Sequence, residues 1–236
     1  MKLSNGKLAA LIIALVIVID QAVKIWIKTH FYYGEEVQVT LWFRLLFIEN
    51  NGMAFGMELG SKLMLTVFRI IASCAFIYYL WRLSDRDDVP KGYVICIALI
   101  TAGALGNVID CIAYGLIFNS PMPPQVAQLF PPDGGYATLF NGRVVDMLYF
   151  PLCEWNWPQW MPWIGGDHFV FFQPIFNVAD ASLSVSVIVL ILFYARYLAM
   201  SVNEVKTEEE SPAEQEIEEN KVTEADNEEN ISQTNE

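Results

Sequence analysis

The hydrophobic residues of this chain are grouped into four long runs, and this grouping predicts a membrane protein. The runs cover about residues 8–27, 63–80, 93–112 and 181–200. Each run is close to the roughly 20 apolar residues that an α-helix needs to cross a bilayer. We therefore expect a mainly α-helical fold, a bundle of four transmembrane helices, for residues 1–202.

Between the first two runs the period of the hydrophobic pattern changes. From Glu35 to Ile48, apolar residues occur at every second position. The alternating apolar positions are Val37, Val39, Leu41, Phe43 and Leu45. A two-residue repeat of β-branched and aromatic residues is typical of a half-buried strand. The sequence thus predicts one β-strand in the loop that follows the first helix.

The basic residues indicate how the helices are oriented. They concentrate at the N-terminus, between the second and third runs, and at the end of the fourth. The other two connections, about 29–61 and 113–175, hold only Arg44 and Arg143. Because cytoplasmic loops carry the excess of Lys and Arg, both termini are predicted to be cytoplasmic and both long loops to face outward. The tryptophans of the second loop are typical of a membrane interface.

The charge of the chain is concentrated in its last residues. The formal net charge is −13, of which residues 203–236 carry −11. This acidic segment has few apolar residues and no aromatic ones, which predicts a disordered cytoplasmic tail. The remaining body is nearly neutral and has no basic cluster, so binding to nucleic acid is not expected.

Polar residues inside the apolar runs are predicted to meet at the outer side of the bundle. The first and third helices run outward and the fourth runs inward, which places the following residues in their outer halves: Asp20, Lys24, Asn107, Asp110, Asn177 and Asp180. Arg69 falls in the outer half of the second helix, and Asp146 lies in an outer loop. Ionisable residues in membrane helices usually mark a function. Asp20 and Lys24, four residues apart, are expected to form a structural ion pair.

The residue types at the outer side of the bundle favour catalysis by aspartates. A metal site needs His or Cys at ligand spacing, but the only histidines are His30 and His168, and no metal or other cofactor is expected. The chain has no G-x-S-x-G sequence around a serine nucleophile. Two facing carboxylates share one proton, so that the ionised one can activate water. The alternative is that individual acids only cap helices.

Two other classes of protein also keep acids in membrane helices. A small proton-coupled transporter needs acids that connect both sides of the membrane. The inner halves of these helices are almost free of acids, which argues against such a path. A non-enzymatic assembly subunit, whose polar residues bind partner helices, is the second alternative.

Five short motifs occur in order along the chain, and together they resemble one family. They are Asp20-Gln-x-x-Lys24, Asn51-Gly-x-Ala-Phe55-Gly56, Gly106-Asn107-x-x-Asp110, Gly142-x-Val-Val-Asp146 and Phe176-Asn177-x-Ala-Asp180. With four apolar runs, they are similar to the lipoprotein signal peptidases, also called signal peptidase II. The resemblance covers roughly residues 8–200.

The resemblance implies a fold and an activity. The fold would be four helices with a small extracytoplasmic β-cradle and a short helix in an outer loop. The activity would be that of an aspartic endopeptidase of the bacterial inner membrane, with its site toward the outer face. It would cut diacylglyceryl-modified prolipoproteins just before the lipidated cysteine, without a metal. Membrane lipids and these substrates would be its partners, globomycin its inhibitor, and a monomer its working form.

The resemblance also implies roles for individual residues. The catalytic pair would be Asp146 and Asp180. Residues expected to support the site or bind substrate are Asn51, Gly52, Asn107, Asp110, Arg143 and Asn177.

The chain departs from the family after the aspartate of the third run. The family commonly has an arginine there, whereas this chain has Cys111. We expect Arg69 or Arg143 to supply the missing charge. Cys111 could also pair with Cys153, although no framework spacing supports a disulfide.

Overall fold

The computed structural model describes residues 3–51, 62–86 and 88–200 of the 236-residue chain. The chain divides into two units, Met1–Ile188 and Val189–Glu236. In the second unit the described residues are helical with a bend at Tyr194, whose N–H still bonds to the carbonyl of Leu190 at 2.9 Å. The acidic segment and the residues from Gly52 to Ser61 lie outside the described residues.

Helices account for most of the described chain, as the hydrophobic pattern predicts. In chain order they are α1 Asn5–His30, α2 Lys62–Leu83, α3 Lys91–Ile109, α4 Gly115–Ile117 and α5 Val178–Phe193, with a π-helical turn, Asp110–Tyr114, joining α3 to α4. Three stretches are long and apolar enough to cross a membrane: Asn5–His30, Leu63–Leu83 and Lys91–Ile117. The helix α5 is apolar but shorter, with 16 residues. The expectation of a mainly α-helical membrane protein is confirmed.

The predicted single strand from Glu35 to Ile48 is wrong, because the chain turns back within it. Two antiparallel strands form instead, β1 Glu36–Gln38 and β2 Arg44–Asn50. The N–H groups of Val39 and Thr40 both bond to the carbonyl of Phe43, at 3.1 and 2.9 Å, and this closes the turn. The alternating pattern continues through the turn without facing a core, since Leu41 is 85% exposed.

Four further strands form in the second long loop. They are β3 Val144–Tyr149, β4 Cys153–Asn156, β5 His168–Phe171 and β6 Ile175–Phe176. A four-stranded sheet has the order β1-β2-β3-β6, and β4 pairs with β5 in a separate hairpin. The described helix of the loop 113–175 is the three-residue α4 Gly115–Ile117 at its start, and residues 118–175, all of which are described, hold no further helix. Proline and glycine are frequent there and disfavour a helix.

The alternation along β3 divides its residues between two environments. Val145 and Met147 are fully buried in a hydrophobic cluster with Phe47, Tyr114 and Phe118. Asp146, between them, projects to the opposite face of the sheet because successive strand residues alternate. In the register of the sheet Asp146 lies opposite Ile48 of β2. Packing of one face therefore places the aspartate on the other.

Glycines of α3 allow α5 to approach closely. A Cβ atom built at Gly103 would lie 2.4 Å from the carbonyl oxygen of Ala179, and one at Gly106 would lie 2.9 Å from the Cβ of Ala179. Such distances are too short for any side chain at either glycine. The small residues of the third apolar run thus bring the first turn of α5 against α3.

We predict that Gly103→Ala destabilises the folded protein. Its methyl group would meet a backbone carbonyl that cannot rotate away, so the two helices must separate, at a cost of about 1–3 kcal/mol. Thermal unfolding in detergent should show a lower midpoint. Ala10→Leu is the control, since Ala10 is exposed on α1. Equal midpoints for both variants would contradict the prediction.

Candidate active site

A buried lysine with two carboxylates forms the base of the site. The Nζ atom of Lys24 lies 2.8 Å from an oxygen of Asp20 and 2.8 Å from an oxygen of Asp110. All three side chains are 0% exposed. The predicted pair of Asp20 and Lys24 is present, and the structure adds Asp110 to it. Two acids and one base leave an excess negative charge, which needs hydrogen-bond donors in so dry a place.

Backbone donors to this cluster come from the two chain segments that carry the other aspartates. The N–H of Ala179 donates to Asp20 at 2.9 Å, and the N–H of Val145 donates to Asp110 at 3.3 Å. Val145 directly precedes Asp146, and Ala179 directly precedes Asp180. The buried cluster therefore holds the backbone of both segments at the position where each presents its aspartate.

Asn107 connects the lysine cluster to Asp180. Its side-chain oxygen accepts hydrogen bonds from Lys24 Nζ at 3.0 Å and from Asn177 Nδ2 at 3.2 Å. Its Nδ2 donates to Asp180 Oδ1 at 2.6 Å. Because an ammonium group can only donate, Lys24 determines which end of the amide faces it. The NH2 group of Asn107 is thereby directed at Asp180.

Asn177 both caps α5 and binds Asp146. Its Oδ1 accepts the N–H of Asp180 at 2.8 Å, which is the bond of a helix N-cap. Its Nδ2 donates to Asp146 Oδ1 at 2.6 Å. The capping role considered from the sequence is therefore present together with a contact to the candidate site.

Asp146 and Asp180 differ in their surroundings. Asp146 is 1% exposed, whereas Asp180 is half-buried. Burial, and then the charge of Asp180, raise the pKa of Asp146 to about 7. Hydrogen bonds from Asn177 and Asn50 act in the opposite direction, because they stabilise the ionised form. Near neutral pH Asp146 can therefore carry a proton, and aspartic peptidases use a carboxyl pair of which one member is protonated.

Two predicted site residues lie elsewhere. Arg143 donates to Glu49 at 2.7 Å and to Ser120 at 3.2 Å, and Glu49 also pairs with Lys28. Asn51 lines a cavity of about 250 Å³ together with Glu49 and Arg143. Glu49 projects from the face of β2 opposite to Asn50, which binds Asp146, so Glu49 and Asp146 lie on different faces of the sheet. Gly52 lies outside the described residues.

The charge that faces Asp110 is Lys24, and the expectation of Arg69 or Arg143 is not met. Arg69 Nη1 lies 3.3 Å from the sulfur of Cys111, and no described carboxylate lies within ion-pair distance of it. Lys24, one helical turn after Asp20 on α1, reaches Asp110 at the end of α3 and pairs with it at 2.8 Å. All four cysteines are free, so Cys111 and Cys153 do not pair.

Sequence reasoning missed two amides in the network. Gln21 donates to Asp110 at 2.9 Å and accepts from the hydroxyl of Tyr114 at 3.1 Å. Asn50 binds Asp146. Gln21 could have been predicted from its position, because it lies next to Asp20, an acid inside an apolar run. Asn50 directly follows the alternating stretch, in a run of polar residues that otherwise predicts only a turn.

The arrangement defines a class of protein, namely a membrane-embedded aspartic hydrolase. Sequence comparison agrees, since the family model described as Signal peptidase (SPase) II matches residues 12–196. The chain is 48% identical over 206 residues to a lipoprotein signal peptidase of Porphyromonas gingivalis, covering 87% of this chain and 91% of that one. It is 36% identical over 184 residues to that of Amoebophilus asiaticus, with 75% and 73% covered.

Solved structures agree with the sequence relatives. A bacterial membrane enzyme determined by the in meso method at 2.3 Å resolution is similar, with a TM-score of 0.52 and 25% identity, over 80% of this chain and 87% of that one. A second, at 1.9 Å resolution, has a TM-score of 0.51 and 27% identity, with 78% and 90% covered. The chain belongs to the signal peptidase II family. Membership of a peptidase family decides against the transporter and the assembly subunit.

We predict that two substitutions of Asn177 separate its two roles. Asn177→Ser keeps a side-chain oxygen that can cap α5, whereas Asn177→Ala removes it and should cost about 1 kcal/mol of folding free energy. Neither can donate to Asp146 as the amide does. Thermal unfolding should therefore show a lower midpoint for the alanine variant than for the serine variant. Equal losses in both would mean that the bond to Asp146, and not the cap, stabilises this helix end.

Proposed function

We propose that Asp146 and Asp180 are the catalytic pair with which this signal peptidase II cleaves lipoprotein signal peptides. The family consists of aspartic-type endopeptidases that process lipoproteins. One observation carries the assignment of residues. Both carboxylates are held by asparagine amides of a single hydrogen-bonded network, at 2.6 Å each, and Asp180 is only half-buried.

The chemistry follows from how the proton is shared. With its raised pKa, Asp146 carries the shared proton and donates it in a hydrogen bond to the carbonyl oxygen of the scissile peptide bond. Asp180, the more exposed of the two, acts as the base and takes a proton from a water molecule, whose oxygen attacks the carbonyl carbon. The tetrahedral intermediate then breaks its C–N bond, and the proton held by Asp180 passes to the leaving amine. Water is consumed and the carboxyl groups regain one shared proton.

The neighbouring residues act by positioning this pair. Asn107 and Asn177 orient the two carboxylates. Asp110, with Asp20 and Lys24, holds the backbone of both segments through the bonds described above. These contacts support a site that is already organised before substrate binds, which lowers the cost of reaching the transition state. We further propose that Asn51 and Gly52 belong to a loop facing the substrate, and that Arg143 supports it through Glu49.

We also propose how the helices and the sheet are arranged relative to the membrane. We infer that α5 and the helical residues up to Met200 form a fourth span, because the apolar run 181–200 is long enough to cross. The distribution of basic residues supports cytoplasmic termini and a site toward the outer face of the inner membrane. The sheet would then act as the extracytoplasmic cradle. The peptidase domain would cover residues 1–202, followed by an acidic cytoplasmic tail.

The substrates proposed are diacylglyceryl-modified prolipoproteins cut before the lipidated cysteine, with membrane lipids as surroundings. The names of the relatives, which are lipoprotein signal peptidases, support this substrate class. A monomeric working form and inhibition by globomycin are proposed from the family resemblance of the five motifs.

We predict that Asp146→Asn and Asp180→Asn each lower kcat by at least about 100-fold, because an amide can neither share the proton nor take one from water. Cleavage of a diacylglyceryl-modified prolipoprotein by the purified protein is the measurement. Asp133→Asn, at an exposed loop position, is the matched control and should leave the rate unchanged. Circular dichroism must show that the inactive variants are folded. Retained cleavage in both would remove the pair from the mechanism.

The raised pKa of Asp146 predicts how activity depends on pH. Below about 7 the pair retains its shared proton, and above that value Asp146 ionises and the proton is lost. The pH profile of kcat/KM should therefore fall as pH rises through about 7. Asn177→Ser removes a hydrogen bond that favours the ionised form, so its falling limb should move to higher pH. A limb that stays in place or moves to lower pH would contradict the assignment.

A further inference from the structure

The hairpin of β4 and β5 lies outside the catalytic arrangement and has no hydrophobic core of its own. All four residues of β4 are exposed, and β5 is exposed at both ends. An isolated two-stranded hairpin is only marginally stable in water. Its aromatic contacts are between the two strands and the turn: the ring of Trp155 packs on that of Phe169 with centroids 4.4 Å apart, and the ring of Trp157 lies against both.

The tip of this hairpin, residues 157–166, contains no charged residue. Its sequence includes three tryptophans, a methionine and an isoleucine. Trp160 is 80% exposed and Trp163 is 98% exposed. The charged residues of the hairpin are Glu154, within β4, and Asp167 and His168, which directly follow the tip. The tip itself is thus uncharged and aromatic, and the charges lie at its edge and in the strands that carry it.

The backbone of the tip is hydrogen-bonded within itself. Five N–H groups bond to carbonyls of the same turn at 2.9–3.1 Å, those of Trp157, Met161, Gly165, Gly166 and Asp167. Pro158 and Pro162 have no N–H at all. Unsatisfied backbone groups are what keep irregular chain out of lipid, because each costs several kcal/mol there. A turn with so many bonds of its own enters a membrane interface at a much lower cost.

We propose that the hairpin tip inserts into the interfacial region of the bilayer and anchors the sheet to the membrane surface. Trp side chains favour that region because an apolar ring and a polar N–H are both accommodated. Six residues separate the end of β5 from the start of α5, so that end of the hairpin lies within roughly 25 Å of a membrane helix. The charged residues beside the tip are mainly acidic, so hydrophobic partitioning and not attraction to anionic lipids drives the contact.

The test compares tryptophan fluorescence of the full chain in phosphatidylcholine nanodiscs, with and without brominated acyl chains. Subtracting the spectrum of the Trp160→Phe, Trp163→Phe double variant isolates the emission of the tip. Subtracting the spectrum of the Trp26→Phe variant isolates the emission of Trp26. This side chain is 47% exposed on the membrane-spanning α1 and serves as the standard for lipid contact. Trp163→Phe alone serves if the double variant does not fold.

The tip emission should be quenched by brominated lipid at least half as strongly as that of Trp26. It should be insensitive to aqueous iodide and unchanged when salt is raised to about 1 M, at which surface electrostatics are screened within ~3 Å. Emission that iodide quenches and brominated lipid does not would overturn the proposal and leave the tip free for a protein partner. Lipid quenching that salt abolishes would overturn the hydrophobic mechanism. The variants should retain cleavage, since the tip does not touch the aspartate pair.

Discussion

The bonds from Asp20 and Asp110 to two backbone N–H groups are the constraint on which the rest of the site depends. Asp20 lies on α1 and Asp110 directly follows α3, and Lys24 forms an ion pair with both of them where none of the three side chains is exposed. A carboxylate buried beside a cation can accept a hydrogen bond at low cost, whereas an unpaired one would lose its charge. The ion cluster therefore holds the backbone of β3 and of the first turn of α5 in position.

Ion clusters of this kind are weak evidence for stability, since desolvation often cancels the attraction of the charges. Hydrophobic residues of similar volume could pack the same space. They could not accept the N–H groups of Val145 and Ala179, nor direct the amide of Asn107 toward Asp180. The role of the charges is therefore to hold these groups in position. This explains why the charges lie near the proposed reaction and not throughout the bundle.

The sequence identified the acids and asparagines of the site but not the bonds that join them. Asp20, Lys24, Asn107, Asp110, Asn177 and Asp180 interrupt apolar runs, and a polar residue in such a run is visible in any pattern. The backbone donors are invisible, since an N–H group is present whatever the side chain. The hairpin of β1 and β2 was missed because its turn continues the alternation of its strands. The bond from Arg143 to Glu49 could not be predicted, because a motif gives the position in the chain and not the direction of a side chain.

The two hydrogen bonds of Asn177 link the folding of the first turn of α5 to the geometry of the aspartate pair. Its oxygen closes the first turn of α5 while its nitrogen holds Asp146, so fraying of that helix end separates the two aspartates in the same event. In the proposed mechanism, a copy whose last helix has come loose would then also lack a working carboxyl pair. Misassembly of α5 would thus inactivate the peptidase without an inhibitor.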